Sequence, residues 1–135
     1  MSVRLLLDTH SLFWWAARPR RLPRRTHALI ADAANVVLVS PVSAWEMTSK
    51  HRIGKWPEAE RFVADFAEIV RGYGFAEMAI TFAHASKAGG LNGRNRDPFD
   101  RLLAGQALVE NLGFVTADAA FRDFGVSVVW DAPPT

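Results

Sequence analysis

Four acidic residues occupy corresponding places in this chain, each at or shortly after the end of a predicted β-strand. Asp8 directly follows a first apolar strand, and Asp118 lies two residues beyond a strand that ends at Thr116. Glu46 falls in the second turn of the helix after the second strand, and Asp100 falls in the first turn of a later helix. In an open parallel sheet these turns gather outside the carboxyl ends of the strands, where ligands bind. We therefore expect the four carboxylates to converge there.

Carboxylates gathered in one pocket need a compensating charge, because two of them about 4 Å apart repel by roughly 4 kcal/mol at an effective dielectric of 20. Raised pKa values or a bound cation relieve this repulsion. The chain has no cysteine and only four histidines, so the expected cation is an oxygen-seeking one, Mg²⁺ or Mn²⁺. Such an ion lowers the pKa of an attacking water and stabilises charge on a phosphate, which suits phosphodiester hydrolysis.

Each carboxylate also has a purely structural explanation, because Asp and Glu stabilise helix N-termini and a cap contributes about 0.5–2 kcal/mol. Asp97 fits this explanation well, since Asp97-Pro98 is a capping residue followed by a first-turn proline. Asp118 is likewise able to cap the short helix that it begins. Ser, Thr and Asn cap as readily as Asp, so capping does not explain a carboxylate at every position. The set as a whole therefore favours a metal site.

The predicted elements alternate between strand and helix. Strands are predicted over residues 3–7, 35–39, 75–80, 113–116 and 126–130, and helices over about 11–17, 26–34, 41–51, 62–71, 82–90, 98–111 and 118–124. This order favours parallel strands with right-handed helical crossovers, and hence an α/β fold, a three-layer α/β/α sandwich with a central, mainly parallel sheet. Nothing suggests a linker, so a single domain over residues 1–135 is expected.

The composition is that of an ordinary soluble protein. Of the 135 residues, 50% are hydrophobic and 22% are charged, which excludes a disordered chain. No apolar stretch approaches the 18 or so residues of a membrane span, and the N-terminus lacks the pattern of a signal peptide. The absence of cysteine excludes disulfides, zinc–thiolate sites and thiol nucleophiles. A cytoplasmic protein without membrane contact is expected.

The net charge of +2 is too small to identify a partner, but the positive charge is unevenly distributed. Five arginines fall within eight residues: Arg18, Arg20, Arg21, Arg24 and Arg25. Such a cluster is able to contact the phosphates of a nucleic acid. A solvated loop held extended by Pro19 and Pro23 explains it equally well, and both alternatives stay open.

Four segments, in this order and at these spacings, carry a resemblance to a known family. They are Leu5-Leu-Leu-Asp-Thr-His10, Ser40-Pro-Val-Ser-Ala-Trp-Glu-Met47 with Lys50, Arg96-Asp-Pro-Phe-Asp-Arg-Leu-Leu-Ala104, and Val115-Thr-Ala-Asp118. The chain resembles the PIN-domain nucleases, and among them the VapC-type toxins of bacterial toxin–antitoxin modules. The resemblance implies a Mg²⁺- or Mn²⁺-dependent endoribonuclease that cleaves an RNA substrate. It also implies inhibition by a cognate VapB-like antitoxin and a homodimer.

The resemblance further implies roles for the acidic residues. Asp8 and Asp100 would bind the metal directly, and Asp118 would bind it directly or through water. Glu46 would bind metal-bound water or act as general base. The family pattern of Asp, any residue, two aliphatic residues and alanine falls on Asp100, with Asp97 as the rival for this third acidic position.

Other polar residues lie next to these acids. The hydroxyls of Thr9, Ser43 and Thr116 are expected to orient the carboxylates. His10 is placed to shuttle a proton, but a lone histidine at a strand–helix turn is more often structural.

Three aromatic residues, Phe13, Trp14 and Trp15, are consecutive in a predicted helix. A helix turns about 100° per residue, so the three rings cannot all face one core. At least one ring should point away from the sheet, which slightly favours a contact with a second copy or with the antitoxin. The alternative is a bulky helix that is buried on most sides.

Three rival functions make different demands on the residues. A haloacid-dehalogenase-like phosphatase needs a second Asp two residues after Asp8, where this chain has His10. A receiver-type signalling domain needs a phosphoacceptor Asp at the end of a central strand, and that strand here ends Leu38-Val39-Ser40. The third rival is a catalytically inactive PIN fold that only binds RNA or protein, and the presence of all four acids argues against it.

Overall fold

Five short strands form one parallel sheet in the computed structural model, which describes residues 2–131. The strands are β1 (Arg4–Leu7), β2 (Val36–Val39), β3 (Ala76–Glu77), β4 (Gly113–Val115) and β5 (Ser127–Val129). Their order in the sheet is β3-β2-β1-β4-β5, and all four pairings are parallel. The predicted α/β fold with a parallel sheet is therefore confirmed, and β1 lies at its centre.

Helices connect and cover the strands. They are α1 (Thr9–Ala17), α2 (Arg24–Ala31), α3 (Pro41–Arg52), α4 (Glu60–Gly72), α5 (Phe82–Gly90) and α6 (Pro98–Glu110), with 3₁₀ helices at Pro19–Arg21, Pro57–Ala59 and Ala119–Phe124. No helix within residues 2–131 is long and apolar enough to cross a membrane.

The two faces of the sheet bury separate apolar layers. Alternate residues of a strand point to opposite faces, so Leu5 and Leu7 pack with Leu12 and Met47 on one side. Leu6 packs on the other side with residues of α6 such as Leu103. Helices therefore cover both faces of a nearly continuous apolar strand, which is the three-layer arrangement that the sequence predicts.

Three of the predicted helix starts are confirmed by their capping hydrogen bonds, whereas the helix predicted from about residue 11 begins at Thr9, because Asp8 caps it. The Ser40 side chain accepts from the backbone N–H of Val42 at 3.0 Å and begins α3. Thr81 and His84 form a reciprocal capping box at the start of α5. Asp97 caps α6. These starts place Glu46 and Asp100 in the second and first turns of their helices, as expected.

The helix predicted over residues 26–34 lies instead at Arg24–Ala31. The carbonyl of Pro23 accepts from His27 N–H at 2.8 Å and opens the helix earlier. Asp32 ends it, because its side chain accepts from Ala34 N–H at 2.9 Å in an Asx turn. The arginine cluster is consequently not an extended loop but a 3₁₀ turn followed by the first turn of a helix.

Candidate active site

A cleft of about 200 Å³ lies beyond the carboxyl ends of β1 and β4. Five carboxylates line it: Asp8, Glu46, Asp97, Asp100 and Asp118. The structure thus brings together all four acids singled out from the sequence, and the rival third acid with them.

Asp8 combines a structural and an electrostatic role. Its Oδ1 accepts from the backbone N–H of Ser11 at 2.7 Å and caps α1. Its Oδ2 accepts from the Thr116 hydroxyl at 2.6 Å, which joins β1 to the end of β4. Burial raises the pKa of Asp8, although the hydrogen bonds from Thr116 and Ser11 act to lower it. A nearby cation would relieve this cost of burying a charge.

Asp100 carries the electrostatic signature of a shared acidic site. Its pKa is raised to about 6, first by burial and then by the charges of Asp97, Glu46 and Asp8. A hydrogen bond from Asn95 opposes that rise. Because three other carboxylates act on Asp100, the negative charges of the cleft repel one another. Bringing a positive charge into the cleft is therefore favourable.

Two further acids in the cleft cap helices, as their sequence contexts indicated. Asp97 Oδ1 accepts from the backbone N–H groups of Phe99 at 2.8 Å and Asp100 at 3.2 Å. Asp118 Oδ1 accepts from Ala120 N–H at 2.9 Å and begins the last 3₁₀ helix. Each cap uses one carboxylate oxygen in these bonds. Capping and metal binding are therefore compatible at both residues.

Glu46 is 5% exposed and forms an ion pair with Lys50 one helical turn later in α3. Lys50 also lines the cleft and places a positive charge beside its carboxylates. Sequence analysis noted Lys50 only within a motif. The i, i+4 spacing of Glu and Lys on a predicted helix was the available signal for this pair.

Residues 5–126 match the family model of the PIN domain. The chain belongs to the PIN domain family. It is 30% identical to Ribonuclease VapC22 of Mycobacterium tuberculosis over 121 residues, which cover 87% of this chain and 89% of that protein. Ribonuclease VapC16 of the same organism is 31% identical over 92 residues, which cover 63% of this chain and 65% of that protein. The resemblance found in the sequence is thereby confirmed.

Solved structures show the same fold. VapBC2 from Rickettsia felis, bound to a DNA fragment from its promoter, matches with a TM-score of 0.67 and 16% identity, covering 96% of this chain and 100% of that chain. FitAcB from Neisseria gonorrhoeae matches with a TM-score of 0.58 and 19% identity, covering 92% and 95%.

The hydroxyls expected to orient the carboxylates of this PIN domain divide into two kinds. Thr116 does so, since it donates to Asp8 and its oxygen also accepts from Asp118 N–H at 3.1 Å. Thr9 and Ser43 instead lie 3.0 Å apart and hydrogen-bond to each other. Both are buried, and their bond joins α1, which Asp8 caps, to α3, which contains Glu46, rather than holding the acids themselves.

Asn95 is a functional candidate that sequence analysis missed. Its Nδ2 donates to Asp100 Oδ2 at 2.8 Å, and its Oδ1 accepts from Asp97 N–H at 2.8 Å. One side chain thus orients a carboxylate of the cleft and shapes the turn that leads into α6. An Asn two residues before a capping Asp is typical of an Asx turn, which is the signal that could have found it.

The donor set of the PIN domain fits a hard divalent cation. Within residues 2–131, no three acidic or histidine side chains form a ready-made metal site. The cleft nevertheless offers five carboxylates, which are the donors that Mg²⁺ and Mn²⁺ prefer. Burial and, after it, the charges of Asp97, Glu46 and Asp8 raise the pKa of Asp100, and a bound cation would offset both effects.

None of the five clustered arginines lines the cleft. Arg18 ends α1, Arg20 and Arg21 lie in the 3₁₀ turn, and Arg24 and Arg25 begin α2. All five are exposed. A role for them in the chemistry is therefore limited to contacts outside the cleft.

Proposed function

We propose that this PIN domain is a VapC-type endoribonuclease, the toxin of a toxin–antitoxin module, which hydrolyses RNA phosphodiester bonds with Mg²⁺ or Mn²⁺. The observation that carries the proposal is the cleft of five carboxylates, in which burial and then the charges of neighbouring carboxylates raise the pKa of Asp100. Similarity to two proteins named as ribonucleases supports RNA as the substrate.

Asp8, Asp100 and Asp118 are the residues proposed to hold the ion. Asp8 directly follows the central strand and Asp100 lies in the first turn of α6, so they approach the cleft from different elements. When bound, the ion supplies positive charge for the phosphate and a lower pKa for the attacking water. Asp97 remains the rival of Asp100, and its bonds to the α6 backbone favour a capping role.

Glu46 is proposed as the general base. It is buried, and its ion pair with Lys50 holds the carboxylate in one place. In the proposed reaction a water oxygen attacks phosphorus and gives a proton to Glu46, and the bond from phosphorus to the leaving ribose oxygen breaks. That leaving oxygen takes up a proton from solvent water, and Glu46 releases its proton to solvent, which restores the carboxylate. Lys50 limits the repulsion between Glu46 and the incoming phosphate.

A VapB-like antitoxin and a second copy of the chain are the proposed protein partners. The likeness to the VapBC2 structure supports the antitoxin. The helix α1 contributes less to a protein interface than expected, because Phe13 is buried and Trp14 and Trp15 are half-buried against the core.

Cleavage of total RNA by the purified chain tests the proposal. The reaction is run with Mg²⁺, with Mn²⁺ and with EDTA, beside the variant Asp8→Asn. We expect discrete fragments that need a divalent ion, and a loss of at least about 10²–10³-fold in the variant. If folded protein free of antitoxin does not cleave RNA with either ion, the proposed ribonuclease activity is contradicted. The alternative is then a PIN fold that only binds RNA or protein. Cutting that persists in Asp8→Asn would contradict the assignment of the site.

A further inference from the structure

A second depression adjoins the acidic cleft. His10, Lys50, Lys55 and Trp56 line it, and the first two of these also line the cleft. The two depressions are therefore contiguous, and a chain that leaves the cleft on this side passes over the second one. Five carboxylates line the cleft, whereas ammonium and aromatic groups line the second depression.

Aromatic rings form a rigid surface along this side. The His10 imidazole stacks on the Trp56 ring, with centroids 4.7 Å apart and planes 16° apart. The centroids of the His10 and Trp14 rings are 5.8 Å apart. The centroids of the Phe13 and Trp56 rings are 5.2 Å apart, and Phe13 is part of the core. Trp56 is buried while His10 is exposed. The His10 ring is therefore exposed to solvent on top of a Trp56 ring that is buried in the core.

An arginine extends the row away from the cleft. The guanidinium carbon of Arg21 lies 4.6 Å from the centroid of the Trp14 ring, a cation–π contact that holds the charge in place. At the other end, Lys55 is exposed beside Trp56. Within residues 2–131 neither Arg21 nor Lys55 is paired with a carboxylate. Both charges are available to an anionic ligand.

We propose that this row, the basic–aromatic track (His10, Trp14, Arg21, Lys55 and Trp56), binds the single-stranded RNA that flanks the scissile phosphate. The inference rests on the proposed ribonuclease function. Cationic groups beside aromatic rings are the chemistry by which proteins bind single strands, through phosphate contacts and base stacking. Bases of a single strand are free to stack, whereas those of a duplex are not. Continuity with the carboxylate cleft favours the substrate over an acidic protein as the occupant.

The experiment measures RNA binding without cleavage. Fluorescence anisotropy of a labelled poly(A) 12-mer is recorded in EDTA over a range of salt concentrations, for wild type and for Arg21→Gln/Lys55→Gln. The control Arg61→Gln/Lys87→Gln removes the same charge from exposed positions on α4 and α5. All four side chains are exposed, so the core is unchanged, and thermal unfolding verifies this.

Each lost phosphate contact lowers the salt slope by about 0.7 for single strands. We expect the track variant to lose about 1.4 from the slope and to bind about 25-fold more weakly at 0.1 M salt, if the two proteins converge near 1 M. The control should stay within about twofold of wild type. Equal losses in both variants, or no loss in either, would overturn the track.

Two further outcomes separate the alternatives. If wild type binds a polyglutamate peptide as tightly as the RNA, and the track variant loses only the peptide, an acidic protein partner replaces RNA as the occupant. If wild type binds no single-stranded RNA in EDTA at any salt concentration, the track proposal fails, and cleavage of total RNA with Mg²⁺ or Mn²⁺ decides the proposed function separately. If the track variant binds RNA like the control but the wild type still cleaves RNA with a divalent ion, the track proposal fails and the proposed function is retained.

Discussion

The two walls of the acidic cleft are built in different ways. The strand-end wall consists of Asp8 and Thr116, which are 108 residues apart and meet through a hydrogen bond of 2.6 Å. The helix-start wall consists of Asn95, Asp97 and Asp100, which lie within six residues and are joined by local bonds. The first wall depends on the assembled sheet, whereas the second is an Asx turn and a helix cap. One site thus combines acids placed by tertiary packing with acids placed by local backbone structure.

The largest expected effect separates the two acids of the helix-start wall. Asp100→Asn should weaken Mn²⁺ binding by at least about 100-fold, because loss of supporting residues alone costs about 10–100-fold. Asp97→Asn keeps a side chain that caps equally well, so tenfold or less is expected. Calorimetric titration of both variants with Mn²⁺ measures the difference. If Asp97→Asn is the more damaging, Asp97 and not Asp100 is the third acidic ligand.

An intermediate effect is expected on stability, from the hydrogen bonds by which Thr116 and Asn95 hold the carboxylates of the two walls. Thr116→Val removes a buried hydrogen bond to a carboxylate, which should lower the free energy of unfolding by about 1.5–3 kcal/mol. Asn95→Ala removes a partly exposed bond to Asp100 and should cost about 0.5–1.5 kcal/mol. Urea unfolding measures both, and Thr116→Ser, which keeps the hydroxyl, is the control. If Asn95→Ala lowers the free energy of unfolding more than Thr116→Val, the helix-start wall and not the strand-end wall contributes more to stability.

The smallest effect concerns pH and Asp100. Its pKa is about 6 in the folded protein against an ordinary 3.8, so the folded state holds this proton more tightly than the unfolded state. The contribution of Asp100 to stability is therefore lost as pH rises from about 4 to about 6, and stays lost above that. Solvent screening reduces the expected cost at pH 7 to about 1 kcal/mol.

The variant Asp100→Asn removes this titration. In EDTA it should be more stable than wild type at pH 7 and equally stable at pH 4, as measured by urea unfolding at both values. Adding Mg²⁺ at pH 7 should stabilise wild type more than the variant, because the ion binds the folded carboxylates. Equal pH profiles for the two proteins would mean that neither burial nor the neighbouring carboxylates raise the pKa of Asp100 in the folded protein.

The sequence predicts most of the fold because its signals are local. Ser40, Thr81 and Asp97 are read directly as caps, and apolar runs predict the strands, so the sheet and the position of each acid follow. Acids at the ends of parallel strands also predict one common cleft. The resemblance to PIN-domain nucleases adds the assignment of roles to these acids.

The contacts that the sequence does not predict are those between distant residues. Nothing local indicates that Thr9 would bond to Ser43, or that His10 would stack on Trp56 46 positions away. The extent of β3 is another example, since a strand over residues 75–80 is compatible with the pattern but only Ala76–Glu77 pairs with β2. Packing decides these features, and packing depends on the whole fold.

The central place of β1 has a consequence for motion in the cleft. Because β1 is paired on both sides, by β2 and β4, its amides exchange with solvent only when the whole domain unfolds. Asp118 is exposed and stands at the start of the last 3₁₀ helix, whose Phe121 and Phe124 are buried in the core. Asp8, which follows β1 and accepts a hydrogen bond from Thr116, is therefore held by the part of the domain that opens last.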